Sequence, residues 1–263
     1  MLKKQYPIKK SVGIILCRKK NEKYEVLLVN KRYTYAFVEF VLGRYPRGDI
    51  SKNINIVKYV NILLKGMIHE ELITLLSLDF NSIWYRLWLN CEHNDNYNKK
   101  RYKFYNSILT DGGETLTKLI MSVRQTSKQL LWEVPKGRHN SSKEEDLLCA
   151  IREFKEETSI DKKYYRFLPF VTKKVNFISN GTRYIYTYFI AFADNKISQT
   201  ENFNILRPQL KDIKNLSETG DVKWFNIEHI RLIDNEKKLE KLLIPAFNLV
   251  KKFVNNKWDK RTS

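Results

Sequence analysis

The first hydrophobic pattern along the chain is a pair of short apolar runs. Residues 11–18, SVGIILCR, and residues 24–32, YEVLLVNKR, are rich in β-branched and other apolar side chains, which is typical of buried strands. A polar, Lys-rich link joins the two runs and suits a solvated turn. Strand character returns at residues 130–137, LLWEVPKG, more than ninety positions later.

Further strands are predicted in the second half of the chain. Residues 164–179 and 183–193 have strand character, and Asn180-Gly181 between them is a strong hairpin signal. Three tyrosines alternate along the second of these strands and therefore share one of its faces: Tyr184, Tyr186 and Tyr188.

The C-terminal third mixes polar and apolar segments. The polar stretch 194–209 is predicted to be a loop, and 221–230, DVKWFNIEHI, a last strand. From about residue 235 the apolar positions have helical spacing, and Pro245 is expected to break or kink this helix.

Between the early strands and residue 130 the hydrophobic period changes. Apolar residues at helical spacing occur in HEELITLLSL, FNSIWYRLWL, NKKRYKFYNSIL and ETLTKLIMSV. Clusters of Asn, Asp and Gly separate these segments. The pattern predicts an all-helical subdomain over 36–127, inserted into a discontinuous domain made of residues 1–35 and 128–263.

A dense acidic cluster lies in the stretch 137–160, which predicts a single helix. Placed at 100° per residue, three carboxylates fall on one arc: Glu153, Glu156 and Glu157. An apolar stripe expected to face the core falls on another arc: Leu147, Ile151 and Phe154. Ser141 and Ser142 each have Glu three residues on, which predicts a capping box at the start of this helix.

Three carboxylates at this spacing repel one another and weaken an isolated helix. A hard divalent cation, Mg²⁺ or Mn²⁺, would explain their convergence, because it prefers oxygen ligands. The alternative is an ordinary acidic surface helix, and charge alone does not exclude it. Glu218, six residues before Trp224, is a further acidic candidate in the loop that leads to the last strand.

The amino-acid composition limits the classes of binding partner and the cellular compartment that we expect for the protein. With 48 Lys and Arg against 29 Asp and Glu, the net charge of +19 favours a polyanionic partner: nucleic acid, an inositol polyphosphate or an acidic membrane surface. A basic surface typical of a Lys-rich proteome is the plainer explanation. The odd cysteine count, the absence of an apolar leader and the absence of an apolar run of about 20 residues predict a cytoplasmic protein without a membrane span.

Basic residues are not concentrated in the helical region. Residues 33–128 hold 13 Lys and Arg against 9 Asp and Glu, so most of the surplus lies in the outer segments. The one dense basic cluster there has an interleaved aromatic: Lys99, Lys100, Arg101, Tyr102 and Lys103. It suits contact with a nucleic-acid backbone and equally suits a solvated helix end.

The acidic stretch resembles the Nudix box, G-x5-E-x7-R-E-U-x-E-E-x-G-U, in which U is a bulky apolar residue. The matching positions are Gly137, Glu144, Arg152, Glu153, Phe154, Glu156, Glu157 and Ile160. The loop from Gly137 to Glu144 is one residue longer than the pattern. Ser159 stands in place of a glycine just past the helix, where a positive φ is cheap for Gly and not for Ser.

The resemblance implies a fold and a chemistry. The fold is α+β, a Nudix α/β/α sandwich with a mixed sheet, and the chemistry is metal-dependent cleavage of a phosphoanhydride. Glu153, Glu156 and Glu157 would hold Mg²⁺ or Mn²⁺, and one of them or Glu218 would act as general base.

The resemblance also implies roles around these carboxylates. Lys136 and Gly137 would approach phosphate. Arg152 would orient a carboxylate through a bidentate pair. Glu144, expected on the helix half a turn from Glu153, would be structural or an outer ligand.

A second resemblance covers nearly the whole chain and concerns the substrate. The segments KRYTYAF, LLWEVPKG, CAIREFKEET and PAFN, together with the helical insertion, are similar to the decapping Nudix enzymes of poxviruses, African swine fever virus and giant viruses. This implies that capped mRNA is cleaved to 7-methyl-GDP and 5′-monophosphate RNA. Tyr35 would stack on the methylated base, with Tyr186 as the second aromatic; sheet packing is the alternative role for either tyrosine.

Two other functions stay open at this point. The same family is associated with hydrolysis of diphosphoinositol polyphosphates, which would use a compact Lys/Arg cluster and no Tyr35. A catalytically idle RNA-binding protein on a Nudix scaffold is the third possibility, and the intact set of three glutamates argues against it.

Overall fold

The computed structural model describes residues 6–89, 94–124, 130–179, 181–201, 219–234 and 237–259. The chain forms two compact units. The second unit is Lys31–Leu131, with which residues 219 and 220 are grouped; the first contains the other described residues. The expected insertion, 36–127, lies inside the second unit.

The first unit is built on a sheet of seven strands among the described residues. In chain order these are β1 (Ile8–Lys20), β2 (Lys23–Lys31), β3 (Trp132–Glu133), β4 (Lys136–Gly137), β5 (Tyr165–Ser179), β6 (Thr182–Ala193) and β7 (Thr219–Phe225). Their order is β3-β2-β1-β6-β5, while β4 pairs with β1 and β7 with β2. β1 runs parallel to β6 and antiparallel to β2 and β4, so the sheet is mixed, as the sequence predicts.

Helices cover both faces of this sheet. α7 (Asp146–Thr158) packs on one face, and α9 (Ile227–Ile233) and α10 (Lys238–Asp259) pack on the other. The alternation of β1 divides its apolar side chains between the two cores: Val12, Ile14 and Leu16 face α7, whereas Ile15 and Cys17 face α10. The layers are therefore α/β/α.

The buried face of α7 differs in part from the apolar stripe expected for it. Phe154 is fully buried, and its burial contributes about 2–3 kcal/mol. Cys149 and Ala150 are also buried, and Ile151 packs against the same core. Leu147 is 37% exposed, because the helix begins only at Asp146 and its first turn extends past the sheet core.

The C-terminal third differs from the sequence prediction in three places. The segment 221–230 is a strand only as far as Phe225; Asn226 then accepts a hydrogen bond from His229 N (2.9 Å) and begins α9. α10 runs through Pro245 without ending there. Its apolar face, which includes Leu243, Phe247 and Val250, packs into the sheet core. The free energy gained by this burial offsets the cost of the hydrogen bond that proline removes. The short helix α8 (Asn195–Ser198) also lies within the predicted loop.

Between residues 32 and 131, the regular elements of the second unit are all helices within its described residues. Its helices are α1 (Tyr35–Val41), α2 (Ile54–Lys65), α3 (His69–Ser77), α4 (Phe80–Trp88), α5 (Asp95–Ser107) and α6 (Glu114–Ser122). The four segments predicted from hydrophobic period correspond to α3 to α6. Phe80 lies in the centre of an aromatic core, within 5.8 Å of the rings of Trp84, Tyr97 and Phe104.

Candidate active site

β4 brings the backbone of Gly137 against the carboxylate of Glu153. Gly137 is paired with Val12 in β1, which fixes the short strand at the sheet, and Glu153 projects from α7 onto it. A Cβ on Gly137 would lie 1.9 Å from the carboxylate carbon and from Oε2 of Glu153. Any side chain at this position would therefore displace the Glu153 carboxylate.

The other two carboxylates of α7 lie at different depths. Glu157 is buried, 8% exposed, and its Oε2 accepts a hydrogen bond from the backbone N of Lys136 (3.0 Å). The side chain of Glu156 is 40% exposed. Because Glu153 and Glu157 both contact β4, the helix and the strand that follows Pro135 form one acidic surface.

Arg152 connects the carboxylates of this surface. Its Nε and Nη2 donate to the two oxygens of Glu144 (2.8 and 3.1 Å), so the pair is bidentate. Its Nη1 donates to Glu153 (2.8 Å) and to Glu156 (3.3 Å). The single guanidinium thus bridges three carboxylates, offsets part of their negative charge and holds their side chains in place.

Glu144 lies in the loop before α7 and not on the helix, where it was expected. Glu145 is the N-cap and makes no side-chain capping bond, so the predicted capping box is absent. The carboxylate of Glu144 instead accepts from Asn140 N (2.7 Å) and from Arg152. The Arg152 guanidinium and this backbone bond lower the pKa of Glu144 to about 2.

Lys136 has an anionic and an aromatic neighbour. Its Nζ lies 2.5 Å from Oε2 of Glu133 and 5.4 Å from the ring centroid of Tyr186. The side chains of Lys136 and Glu133 are 12% and 18% exposed. Sequence reasoning missed Glu133, although an acidic residue three positions before Lys136 across a proline turn was the available signal.

A row of aromatic rings continues from Tyr186 along the hairpin. Tyr184, Tyr186 and Tyr188 share one face of β6, with successive ring centroids 6.2 and 6.4 Å apart. Phe177 of β5 stacks on Tyr184 (5.2 Å) and meets the Tyr186 ring edge-on (5.3 Å). Tyr188 is buried, whereas Tyr186 is half-buried; burial raises the pKa of both hydroxyls.

Ser159 ends α7 in the left-handed conformation that the Nudix pattern assigns to glycine. Its φ is +60° and its backbone N donates to Lys155 O (2.8 Å). The helix therefore ends as in the family pattern, at a conformational cost of about 1–2 kcal/mol for a residue with a Cβ.

Tyr35, in the second unit, is the first residue of α1 and is 57% exposed. Thr34 before it caps the helix and donates through N and Oγ1 to the buried carboxylate of Glu71 (2.6 and 2.7 Å). Ile68 N is a third donor to Glu71 (3.1 Å), and burial raises the pKa of that carboxyl. These bonds fix the backbone that presents Tyr35.

The basic cluster lies on α5, and its members differ. Lys99 and Arg101 are exposed, and Lys100 is half-buried. The Nζ of Lys103 donates to the carbonyls of Gly43 (2.8 Å) and Tyr45 (2.5 Å), and burial lowers its pKa. Lys103 was expected to contact RNA, but its ammonium is used to hold the turn after α1, so we assign it a structural role.

Several negative findings apply to the described residues alone. Glu218 lies outside them, so its position relative to the carboxylates is not described. Within the described ranges, no three His, Cys, Asp or Glu side chains form a group that could hold a metal ion as they stand. None of the described helices is both long and apolar enough to cross a membrane.

The carboxylates nonetheless fit a divalent metal ion in their chemistry. Glu153, Glu156 and Glu157 offer oxygen atoms only, which Mg²⁺ and Mn²⁺ prefer. The bare Cα of Gly137 leaves the Glu153 carboxylate space beside the backbone. Arg152, which offsets part of the negative charge of Glu153 and Glu156, occupies the electrostatic role that a metal would take.

The mixed sheet, the helix α7 and the spacing of its glutamates define a Nudix protein. The sequence model of the NUDIX domain matches residues 106–247, and the chain belongs to this family. An mRNA-decapping protein, g5R, of African swine fever virus (isolate Warthog/Namibia/Wart80/1980) is 35% identical over 95% of this chain and 99% of its own length.

More distant similarities extend to other sources. A protein of Acanthamoeba polyphaga mimivirus, named as a candidate mRNA-decapping protein, is 26% identical over 88% of this chain and 68% of its own. Among solved structures, a Caenorhabditis elegans Ap4A hydrolase in a binary complex is similar with a TM-score of 0.43 and 16% identity, over 92% of this chain and 97% of that chain.

Proposed function

We propose that this protein is an mRNA-decapping hydrolase that cleaves the 7-methylguanosine cap to 7-methyl-GDP and 5′-monophosphate RNA. The observation that carries the proposal is the 35% identity with the African swine fever virus decapping protein along 95% of the chain. That similarity includes the helical unit between β2 and β3 as well as the acidic helix.

The carboxylates of α7 are the proposed metal ligands. Nudix hydrolases generally use divalent metal ions, and Glu153, Glu156 and Glu157 would hold Mg²⁺ or Mn²⁺ here. When bound, such ions neutralise charge on phosphate oxygens and lower the pKa of the attacking water. One of the three glutamates, or Glu218, is the proposed general base.

The remaining groups position these carboxylates and the phosphates. Arg152, fixed by its bidentate pair with Glu144, holds Glu153 and Glu156 in place until a metal competes for them. Gly137 lets the β4 backbone approach the Glu153 carboxylate and a phosphate closely. Lys136 is the proposed cationic phosphate contact on the same strand.

The substrate would be engaged by aromatic and basic side chains. Tyr35 and Tyr186 are each proposed as an aromatic contact of the methylated base, since a cationic ring stacked on an aromatic face gains about 2 kcal/mol. Lys99, Lys100 and Arg101 are proposed to contact the RNA backbone. The enzyme would act in the cytoplasm of an infected cell, where capped mRNA is found.

A second substrate class is favoured by the net charge of +19, which suits an inositol polyphosphate as well as RNA. Cap-labelled RNA and a diphosphoinositol phosphate should therefore be offered side by side to wild type and Glu156→Gln. We expect 7-methyl-GDP release by wild type and a loss of about hundredfold or more in the variant. Capped RNA that survives while the diphosphoinositol phosphate is consumed would overturn the decapping proposal.

Tyr35→Ala separates the two substrates further. The variant should raise KM for capped RNA, since one stacking face is lost, and leave diphosphoinositol turnover unchanged. Tyr59→Ala is the matched control, because Tyr59 is an exposed tyrosine (42%) of the same unit with no proposed contact.

A further inference from the structure

The Glu133–Lys136 pair occupies an unusual place in the first unit. It closes the Val134–Pro135 turn from one side, and the ring of Tyr186 lies beside it. The side chains of both charged residues are more than four-fifths buried. A buried ion pair contributes little net stability over apolar packing, so its position beside the site suggests a role in recognition.

The surroundings of the Lys136 ammonium form a site for a cation. A carboxylate lies 2.5 Å from it on one side and an aromatic ring 5.4 Å away on another. An anion combined with an aromatic face is the arrangement that binds organic cations, because charge neutralisation and the ring quadrupole act together. Lys136 at present supplies the cation from within the chain.

A methylated cap carries both charges that this pair could bind. The 7-methylguanine ring is cationic and planar, whereas the adjoining phosphates are anionic. The backbone of Lys136 is bonded to Glu157, and Gly137 next to it touches Glu153. If the Lys136 ammonium turns toward the phosphates, its place beside Glu133 becomes available to another cation.

Resting on the proposed decapping function, we propose that Glu133 is the residue that selects the methylated cap. On binding, Lys136 exchanges Glu133 for the phosphates, and the cationic base takes the position of the ammonium between Glu133 and Tyr186. The carboxylate then neutralises the methylated ring and accepts hydrogen bonds from the N–H groups of its edge. An unmethylated guanine, which is neutral, gains only part of this interaction and leaves a carboxylate without its counter-charge.

The exchange is supported by the charges around the ring. Lys136, Glu133 and Arg138 all act on the Tyr186 hydroxyl, so the ring lies within the field of this group. Tyr188, the neighbour of Tyr186 in the same row, is buried, and its ring packs edge-on against that of Tyr186. Tyr186 is therefore the one ring of the three in contact with both the ion pair and Phe177.

The test compares RNA capped with 7-methylguanosine and RNA capped with unmethylated guanosine. The measured quantity is the ratio of their kcat/KM values for wild type, Glu133→Gln, Glu133→Asp and the control Glu228→Gln. Glu228 is an exposed carboxylate of the same unit, paired loosely with Lys23 (4.0 Å), so its variant removes the same charge away from the site.

Wild type and Glu228→Gln should prefer the methylated cap. Glu133→Gln should lower kcat/KM for the methylated cap by about tenfold and change the value for the unmethylated cap far less. Glu133→Asp, which keeps the charge, should restore part of the preference. An equal loss on both caps, or an unchanged ratio in Glu133→Gln, overturns the proposal, since a residue that only closes the turn would affect both substrates alike. Absence of cleavage of either RNA by wild type would instead contradict the decapping function itself.

Discussion

The carboxylate of Glu153 occupies the space that a side chain on Gly137 would need. A Cβ at Gly137 would come within 1.9 Å of that carboxylate, so the carboxylate would have to move away from the strand. This contact links the end of LLWEVPKG to the first glutamate of the REFKEE segment. It explains in physical terms why a Nudix box needs glycine at its start.

Gly137→Ala should therefore abolish most of the activity without unfolding the protein. Displacement of a metal-binding carboxylate by about 1 Å is expected to cost about hundredfold in rate. The variant should be compared with wild type by kcat/KM and by thermal unfolding. Gly181→Ala is the control: nothing lies within 4 Å of the added Cβ, and its φ of +68° predicts a stability loss of about 1 kcal/mol with activity kept. Equal activity in the two variants would contradict the steric argument.

The Glu144–Arg152 pair should make stability depend on pH in an acidic window. The pKa of Glu144 is lowered from 4.5 to about 2, so its contribution is complete above about 4.5 and is lost as the pH falls toward 2. The difference in urea midpoint between wild type and Glu144→Gln should be largest at pH 5.5 and shrink by pH 3. A difference that stays constant across this range would show that the carboxylate charge is not what stabilises the pair.

Ser159→Gly should stabilise the protein by about 0.5–1 kcal/mol. The residue has a φ of +60°, and relief of the Cβ penalty outweighs the added freedom of glycine in the unfolded chain. Chemical denaturation provides the measurement. Ser159→Ala keeps the Cβ and should bring no such gain; a stabilisation of equal size in Ala would point to the lost hydroxyl instead of the backbone.

Removal of single positive charges on α5 should show which of its basic residues contact RNA and which stabilise the fold. Lys99→Ala and Arg101→Ala should each weaken RNA binding and reduce the slope of log K against log salt by about 1, with the fold intact. Lys103→Ala should lower the unfolding temperature, because its ammonium holds the carbonyls of Gly43 and Tyr45. The salt dependence can be measured by fluorescence anisotropy with a short RNA. If Lys99 and Arg101 leave it unchanged, α5 is a solvated helix face.

Much of the fold was predictable because local periodicity determined it. The Nudix assignment, inferred from the spacing between Gly137 and Ile160, is confirmed by the family match, and the mixed sheet that the family resemblance implies is present. Four of the six described helices of the second unit followed from apolar period, whereas α1 and α2 did not. The sequence pattern did not predict α1 as a separate helix, because its seven residues form too few turns for a periodic signal.

The details that sequence could not provide depend on contacts between distant residues. α7 begins only after Glu144, because the carboxylate of Glu144 is bonded to Asn140 and Arg152, which are positioned only by the folded loop. The capping bond of Asn226 starts a helix within the segment that was predicted to be a strand. The roles of Lys103 and Glu133 depend on such contacts as well. The ammonium of Lys103 bonds to a remote turn, and Glu133 pairs with a lysine beyond Pro135.

The most direct test of the account is the identity of the product released from RNA labelled in its cap. Wild type with Mg²⁺ or Mn²⁺ should release 7-methyl-GDP and leave RNA with a 5′-monophosphate, and Glu157→Gln should release almost none while it still binds the RNA. Release of 7-methyl-GMP, no release by wild type, or full release by Glu157→Gln would contradict the claim that the α7 carboxylates perform decapping.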